Sequence, residues 1–132
     1  MTYNVDDKNF VNSELYKVFI NTNPGIGFLK IRAFAASQAV PISGMKVQVS
    51  KDIGGNKVIF FSGVTNESGV IERIQLPVPR TSDNMMAPVL TTYDIDTSYE
   101  GVDRLYKVNV YDDIYVVQNI NVTPNINYGG TL

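Results

Sequence analysis

The feature that most limits what this chain can fold into is a strict two-residue alternation of apolar and polar side chains, repeated in segment after segment. Leu29, Ile31 and Ala33 alternate with Lys30 and Arg32. Met45, Val47 and Val49 alternate with Lys46, Gln48 and Ser50, and Tyr106, Val108 and Val110 with Lys107 and Asn109. Successive side chains of a strand point to opposite faces, so each run predicts a strand with one face in a core and one in water. Val58 to Phe61 is apolar throughout, which predicts a strand buried on both faces or one whose outer face meets a partner. No segment carries a 3.6-residue apolar stripe over three turns, so little helix is expected.

Turn residues punctuate these runs. Gly54-Gly55-Asn56 predicts a tight hairpin, Asn66-Glu67-Ser68-Gly69 the next turn, and Asp112-Asp113 the last. Pro77, Pro79 and Pro88 bracket a polar stretch, residues 80–87, which predicts a surface loop containing Met85-Met86. The expected strands are 15–21, 27–35, 45–51, 57–64, 70–76, 89–97, 105–111 and 114–122. The expected core is Leu29, Ile31, Val47, Val49, Phe60, Ile74, Leu76, Tyr93, Ile95, Val108, Val110, Val116 and Ile120. Short strands at roughly 8–12-residue spacing imply an all-β Greek-key sandwich of seven to eight strands.

Composition bounds the chemistry. At 132 residues, 44% hydrophobic and 18% charged, the chain has the make-up of one folded domain. Net charge is −2 and Lys and Arg do not cluster, so no nucleic-acid partner is expected. There is no Cys and no His. That removes disulfides, thiolate nucleophiles, the commonest zinc ligands and the usual general base near neutral pH. No apolar run is long enough to span a membrane, and the first residues, with Asp6-Asp7, do not resemble a signal peptide, so synthesis in the cytoplasm is expected.

Asp94 and Asp96 lie two apart on a predicted strand and so share a face, as a calcium site or an acid/base pair would require. A solvated outer face is the reading adopted for them. Gly25-x-Gly27 lacks the third glycine of a dinucleotide loop, and no Ser sits in a nucleophile elbow. No catalytic residue, metal or cofactor is expected, and the chain is expected not to be an enzyme.

Several stretches are similar to the carboxypeptidase-regulatory-like, or transthyretin-like, β-sandwich. Gly27-Phe28-Leu29-Lys30-Ile31 looks like its opening strand, and Val40-Pro41-Ile42-Ser43-Gly44-Met45-Lys46-Val47 like its turn into the second strand, with Met45 where Ala is usual. Val64-Thr65-Asn66-Glu67-Ser68-Gly69, Leu76-Pro77-Val78-Pro79, Thr92-Tyr93-Asp94-Ile95, Val108-Asn109-Val110-Tyr111 and Val122-Thr123-Pro124 follow in the family's order. The version most similar is the N-terminal accessory domain of spore cortex-lytic enzymes. Gly101-Val102-Asp103 departs from the family's Gly-Tyr-Tyr, and no peptidase or transglycosylase domain is expected to follow the sandwich. The resemblance therefore implies a transthyretin-like fold and a binding or scaffolding role. Hydrolases of this fold rely on His, which this chain lacks.

Three parts are expected: residues 1–25, an N-terminal arm with an extra strand; 26–124, the sandwich; and 125–132, a C-terminal tail. In the arm, Leu15, Tyr16, Val18, Phe19 and Ile20 have strong β character and would pair with the edge of a sheet, in this chain or a neighbour. Among the clustered tyrosines, Tyr99, Tyr111 and Tyr115 are expected to point away from the core as contact residues. Together these imply a non-catalytic structural subunit that self-assembles through strand-adding arms, as a homo-oligomer or filament on a spore surface or in a phage-tail-like particle. Other spore or phage structural proteins are further candidate partners. The alternative is an adaptor docking on peptidoglycan or a cortex-lytic enzyme.

Overall fold

A computed structural model describes residues 13–36, 39–81 and 89–122. Among the described residues, helix α1 (Glu14–Thr22) comes first. Eight strands follow: β1 (Gly25–Ala35), β2 (Val40–Pro41), β3 (Lys46–Ile53), β4 (Asn56–Val64), β5 (Val70–Val78), β6 (Leu90–Tyr99), β7 (Val102–Tyr111) and β8 (Tyr115–Asn121). One sheet runs β4-β3-β6-β7, with every pair antiparallel. The other is built around β1, which pairs antiparallel with β5 and the short β2, and in parallel with β8. The chain crosses between sheets after β2, β4, β5 and β7, so the expected all-β sandwich of seven to eight strands is what forms.

The alternation places the core as the sequence implies. Leu29, Ile31, Val47, Val49, Phe60, Ile74, Leu76, Tyr93, Ile95, Val108, Val110 and Ile120 are all buried, and Val116 packs against them partly exposed. Polar atoms that go inside find partners, as buried polar groups must. The Tyr93 hydroxyl donates to the carbonyl of Pro77. Thr65 donates to the Ile42 carbonyl at 2.6 Å and accepts the Met45 N–H at 3.0 Å, fixing the turn into β3. The Gly54-Gly55 loop between β3 and β4 is the expected hairpin. Both residues have positive φ, 60° and 85°, as a two-residue hairpin turn requires.

Residues 15–21 do not form the expected strand. They lie in α1, where their backbone groups bond within the helix. Ser13 caps its start by accepting the Tyr16 N–H at 3.2 Å. Asn23 closes its end, donating its side-chain amide to the Phe19 carbonyl at 2.8 Å and accepting from the Thr91 hydroxyl on β6. Tyr16, Phe19, Ile20 and Asn23 are spaced i, i+3, i+4, i+7, so one helix face meets the sandwich. Phe19 is buried with its ring 5.9 Å from that of Phe60. Burial also pushes the Tyr16 hydroxyl above the ordinary phenol value. The rest of the expected arm, residues 1–12, lies outside the described residues. So do the tail 125–132 and most of the 80–87 loop, with Met85-Met86.

Gly25-x-Gly27 has a packing role. A Cβ on Gly25 would come within 2.5 Å of Asp112 Oδ1, and one on Gly27 within 2.6 Å of the Tyr111 carbonyl oxygen. The missing side chains let the β7–β8 corner cross the start of β1. Asp112 then accepts the N–H of Ile26 at 3.2 Å and that of Thr81 at 3.1 Å. Gly27→Ala is expected to lower stability by about 1–3 kcal/mol, the usual cost of overpacking, read as a lower urea midpoint. An unchanged midpoint would contradict this docking.

Candidate functional site: an aromatic and cationic sheet face

The outer face of the β5-β1-β8 sheet carries the most organised group of exposed side chains. Phe28, Lys30 and Arg32 alternate with buried Leu29 and Ile31 and so share that face. In register, Phe28 lies beside Tyr115, Lys30 beside Val117 and Arg32 beside Asn119. The Phe28 and Tyr115 rings stack at 6.0 Å and 23°, and the Arg73 guanidinium sits over the Phe28 ring at 4.4 Å. Tyr115 reaches across β1, its hydroxyl donating to the carbonyl of Glu72 on β5. Lys30 Nζ lies 3.5 Å from Glu72 Oε1. Arg32 donates to Asn119 Oδ1 at 3.2 Å and lies 5.5 Å from the centre of the Phe34 ring. Lys30 thus pairs with the one carboxylate of Glu72, while Arg73 and Arg32 lie over the Phe28 and Phe34 rings. Beside them Tyr115 and Val117 stay 47% and 49% exposed.

The opposite outer face, on β4-β3-β6-β7, mixes ion pairs with the exposed apolar side chains of Val64, Leu90 and Leu105. Asp94 and Asp96 do share it, as expected, and each meets a lysine. Lys107 Nζ lies 2.6 Å from Asp94 and Lys57 Nζ 3.2 Å from Asp96. Beside Asp96 a groove of about 330 Å³ is lined by Lys46, Gln48, Ser62, Ser98 and Asp103.

The contact residues expected from sequence are not brought together. Tyr115 stands on the aromatic face and Tyr111 is half-buried at the end of β7. Tyr99 does not point outward. It shares the parity of Tyr93 and Ile95 on β6 and packs against the core. Of the helix residues, Phe19 is buried, Tyr16 and Ile20 pack on the sandwich, and Leu15 and Val18 remain exposed. Leu15 rests against the Gly54 hairpin, where a Cβ would meet its Cδ1 at 2.4 Å. Sequence reasoning missed Phe28, Arg73 and Val117 as surface residues. Their signal was present as the polar-parity positions of β1 and β8 occupied by Phe28, Tyr115 and Val117.

No protein-family model matches the chain, and no curated protein matches its sequence. Solved structures do match it. The Bacillus anthracis TIE protein superimposes with a TM-score of 0.53 at 15% identity, over 75% of this chain and 16% of that one. Transthyretin from Sparus aurata superimposes with a TM-score of 0.43 at 12% identity, over 71% of this chain and 90% of its own. The chain therefore spans a small fraction of the TIE protein, and at that identity what the two share is the sandwich fold. A fold of this kind hosts many functions, so function has to be argued from the surface.

Asp94→Asn and Asp96→Asn are expected to change stability by less than about 1 kcal/mol each, because exposed ion pairs contribute little. The change should shrink further in high salt. Loss of several times that amount in thermal unfolding would show that the pairs are structural.

Proposed function

We propose that this sandwich is a non-catalytic structural subunit that associates with copies of itself through sheet surfaces. The observation that carries the reading is the outer face of β5-β1-β8. Its half-exposed Tyr115 and Val117 stand beside an aromatic stack already fixed by Arg73 and the Glu72 carbonyl. Such a surface loses little side-chain freedom when covered, which favours association. The lack of His and Cys throughout the sequence supports a role without acid/base or thiolate chemistry. The resemblance to accessory sandwiches of spore cortex-lytic enzymes supports the setting we propose, a spore layer or a phage-tail-like particle built from cytoplasmically made subunits. Strand donation by residues 15–20 is no part of this proposal, since they are helical.

A second reading is favoured by the same stack. Phe28 and Tyr115 form an aromatic platform of the kind on which sugar rings settle, which suits an adaptor docking on peptidoglycan.

Sedimentation equilibrium of the full chain at increasing concentration separates the two. We expect the mean mass to rise above the 14.6 kDa of one chain. A mass fixed at one chain, with co-sedimentation on purified peptidoglycan, would overturn self-association in favour of the adaptor.

A further inference from the structure

We propose that β8 pairs with β8 of a second copy, antiparallel and edge to edge, about a two-fold axis at Val117. This deepens the self-association reading and rests on it.

The β4-β3-β6-β7 sheet has two outer strands and the β1 sheet has three, β2, β5 and β8, and an outer strand offers its backbone to any passing strand unless charge, proline or a bulge discourages it. Four of the five are so marked, the two-residue β2 by Pro41. β5 contains Pro77 and carries a register shift opposite Leu29 and Ile31, at Glu72 and Arg73. β4 contains Lys57 and a register shift opposite Val49 and Ser50. β7 contains Asp103, Arg104 and Lys107. β8 differs. Its seven residues, YVVQNIN, include no charge and no proline, and its register with β1 is unbroken from Tyr115 to Asn121.

The ladder also fixes which peptide groups of β8 face outward. The Phe28 N–H donates to the Ile114 carbonyl, and the Val122 N–H donates to the Phe34 carbonyl. These two bonds bracket a parallel ladder in which the even-numbered residues of β8 bond to β1. The N–H and C=O groups of Tyr115, Val117, Asn119 and Asn121 therefore point to the other side. Among the described residues, β8 pairs with β1 alone.

A second copy suits this edge because an uncharged strand meets no repulsion in its own image, and a two-fold axis presents the same patch from both sides. Centred on Val117, the pairing sets Val117 against Val117 of the other copy, and Tyr115 against its Asn119. All three have outward backbone groups, so these become hydrogen-bonded pairs with Cα atoms about 5.5 Å apart. The two half-exposed valines cover one another, and the aromatic faces of both copies join into one surface.

The test uses the full chain by sedimentation equilibrium and by single cysteines, since the sequence contains none. Val117→Lys places like charges opposite one another and should weaken dimerisation about tenfold or more. Leu105→Lys on β7, also exposed at 60%, should leave it unchanged. Circular dichroism should show both variants folded. Val117→Cys should oxidise to a covalent dimer, and Leu105→Cys should not. If wild type associates but Val117→Lys associates equally well, or Leu105→Cys cross-links as readily, the β8 edge is wrong while self-association stands. If wild type stays monomeric at all concentrations, both fail.

Discussion

Strand β1 is the element on which the rest of the molecule depends. It lies between β5 and β8, and its Leu29 and Ile31 are fully enclosed. Its parallel neighbour β8 is the last strand described, so the sandwich closes only when segments more than eighty residues apart meet, as Ile26 meets Asp112. The two glycines at the start of β1 make that meeting possible by leaving room for the β7–β8 corner. A ladder between distant segments costs loop-closure entropy, which the enclosed apolar surface of β1 offsets.

Everything exposed on that sheet follows from the same register. Because β1 and β8 run in parallel with Phe28 beside Tyr115, the aromatic stack, the Arg73 cation and the reach of Tyr115 to Glu72 are assembled across three strands. None of these contacts is local in sequence. On the opposite face Asp94 and Asp96 each sit beside a lysine, and no aromatic stack is found there among the described residues. The two outer faces thus differ in kind. One carries a fixed aromatic stack, and the other paired charges among scattered apolar side chains.

The strands and the core were legible because a sandwich strand has one wet face, and alternation records which one. Leu29, Val47, Ile95 and Val110 needed nothing more. Helix α1 was not read because its buried stripe, Tyr16, Phe19, Ile20 and Asn23, spans barely two turns, and Val18, Phe19 and Ile20 look like strand residues. Its helical form is held by Phe19 against Phe60, a contact between distant segments. Local signals did bracket it: Ser13 at the start, Asn23-Pro24 at the end. Tyr99 was misdirected although its parity with Tyr93 and Ile95 was there to be read. The parity of Phe28 and Val117 was readable, but their assembly with Tyr115 and Arg73 into one face was not, because it needs the β1–β8 register and the bulge in β5. Gly25-x-Gly27 was legible as a motif but not as the seat of a crossing corner.

Hydrogen exchange of individual β8 amides, followed from dilute to concentrated protein, tests the central claim most directly. The ladder predicts that the amides of Val116, Gln118 and Ile120 are protected at every concentration, because they bond to β1. Those of Tyr115, Val117 and Asn119 should exchange quickly in dilute solution and slow as concentration rises. Equal protection of both sets in dilute protein, or rapid exchange of the outward set at every concentration, would contradict an open β8 edge that a second copy covers.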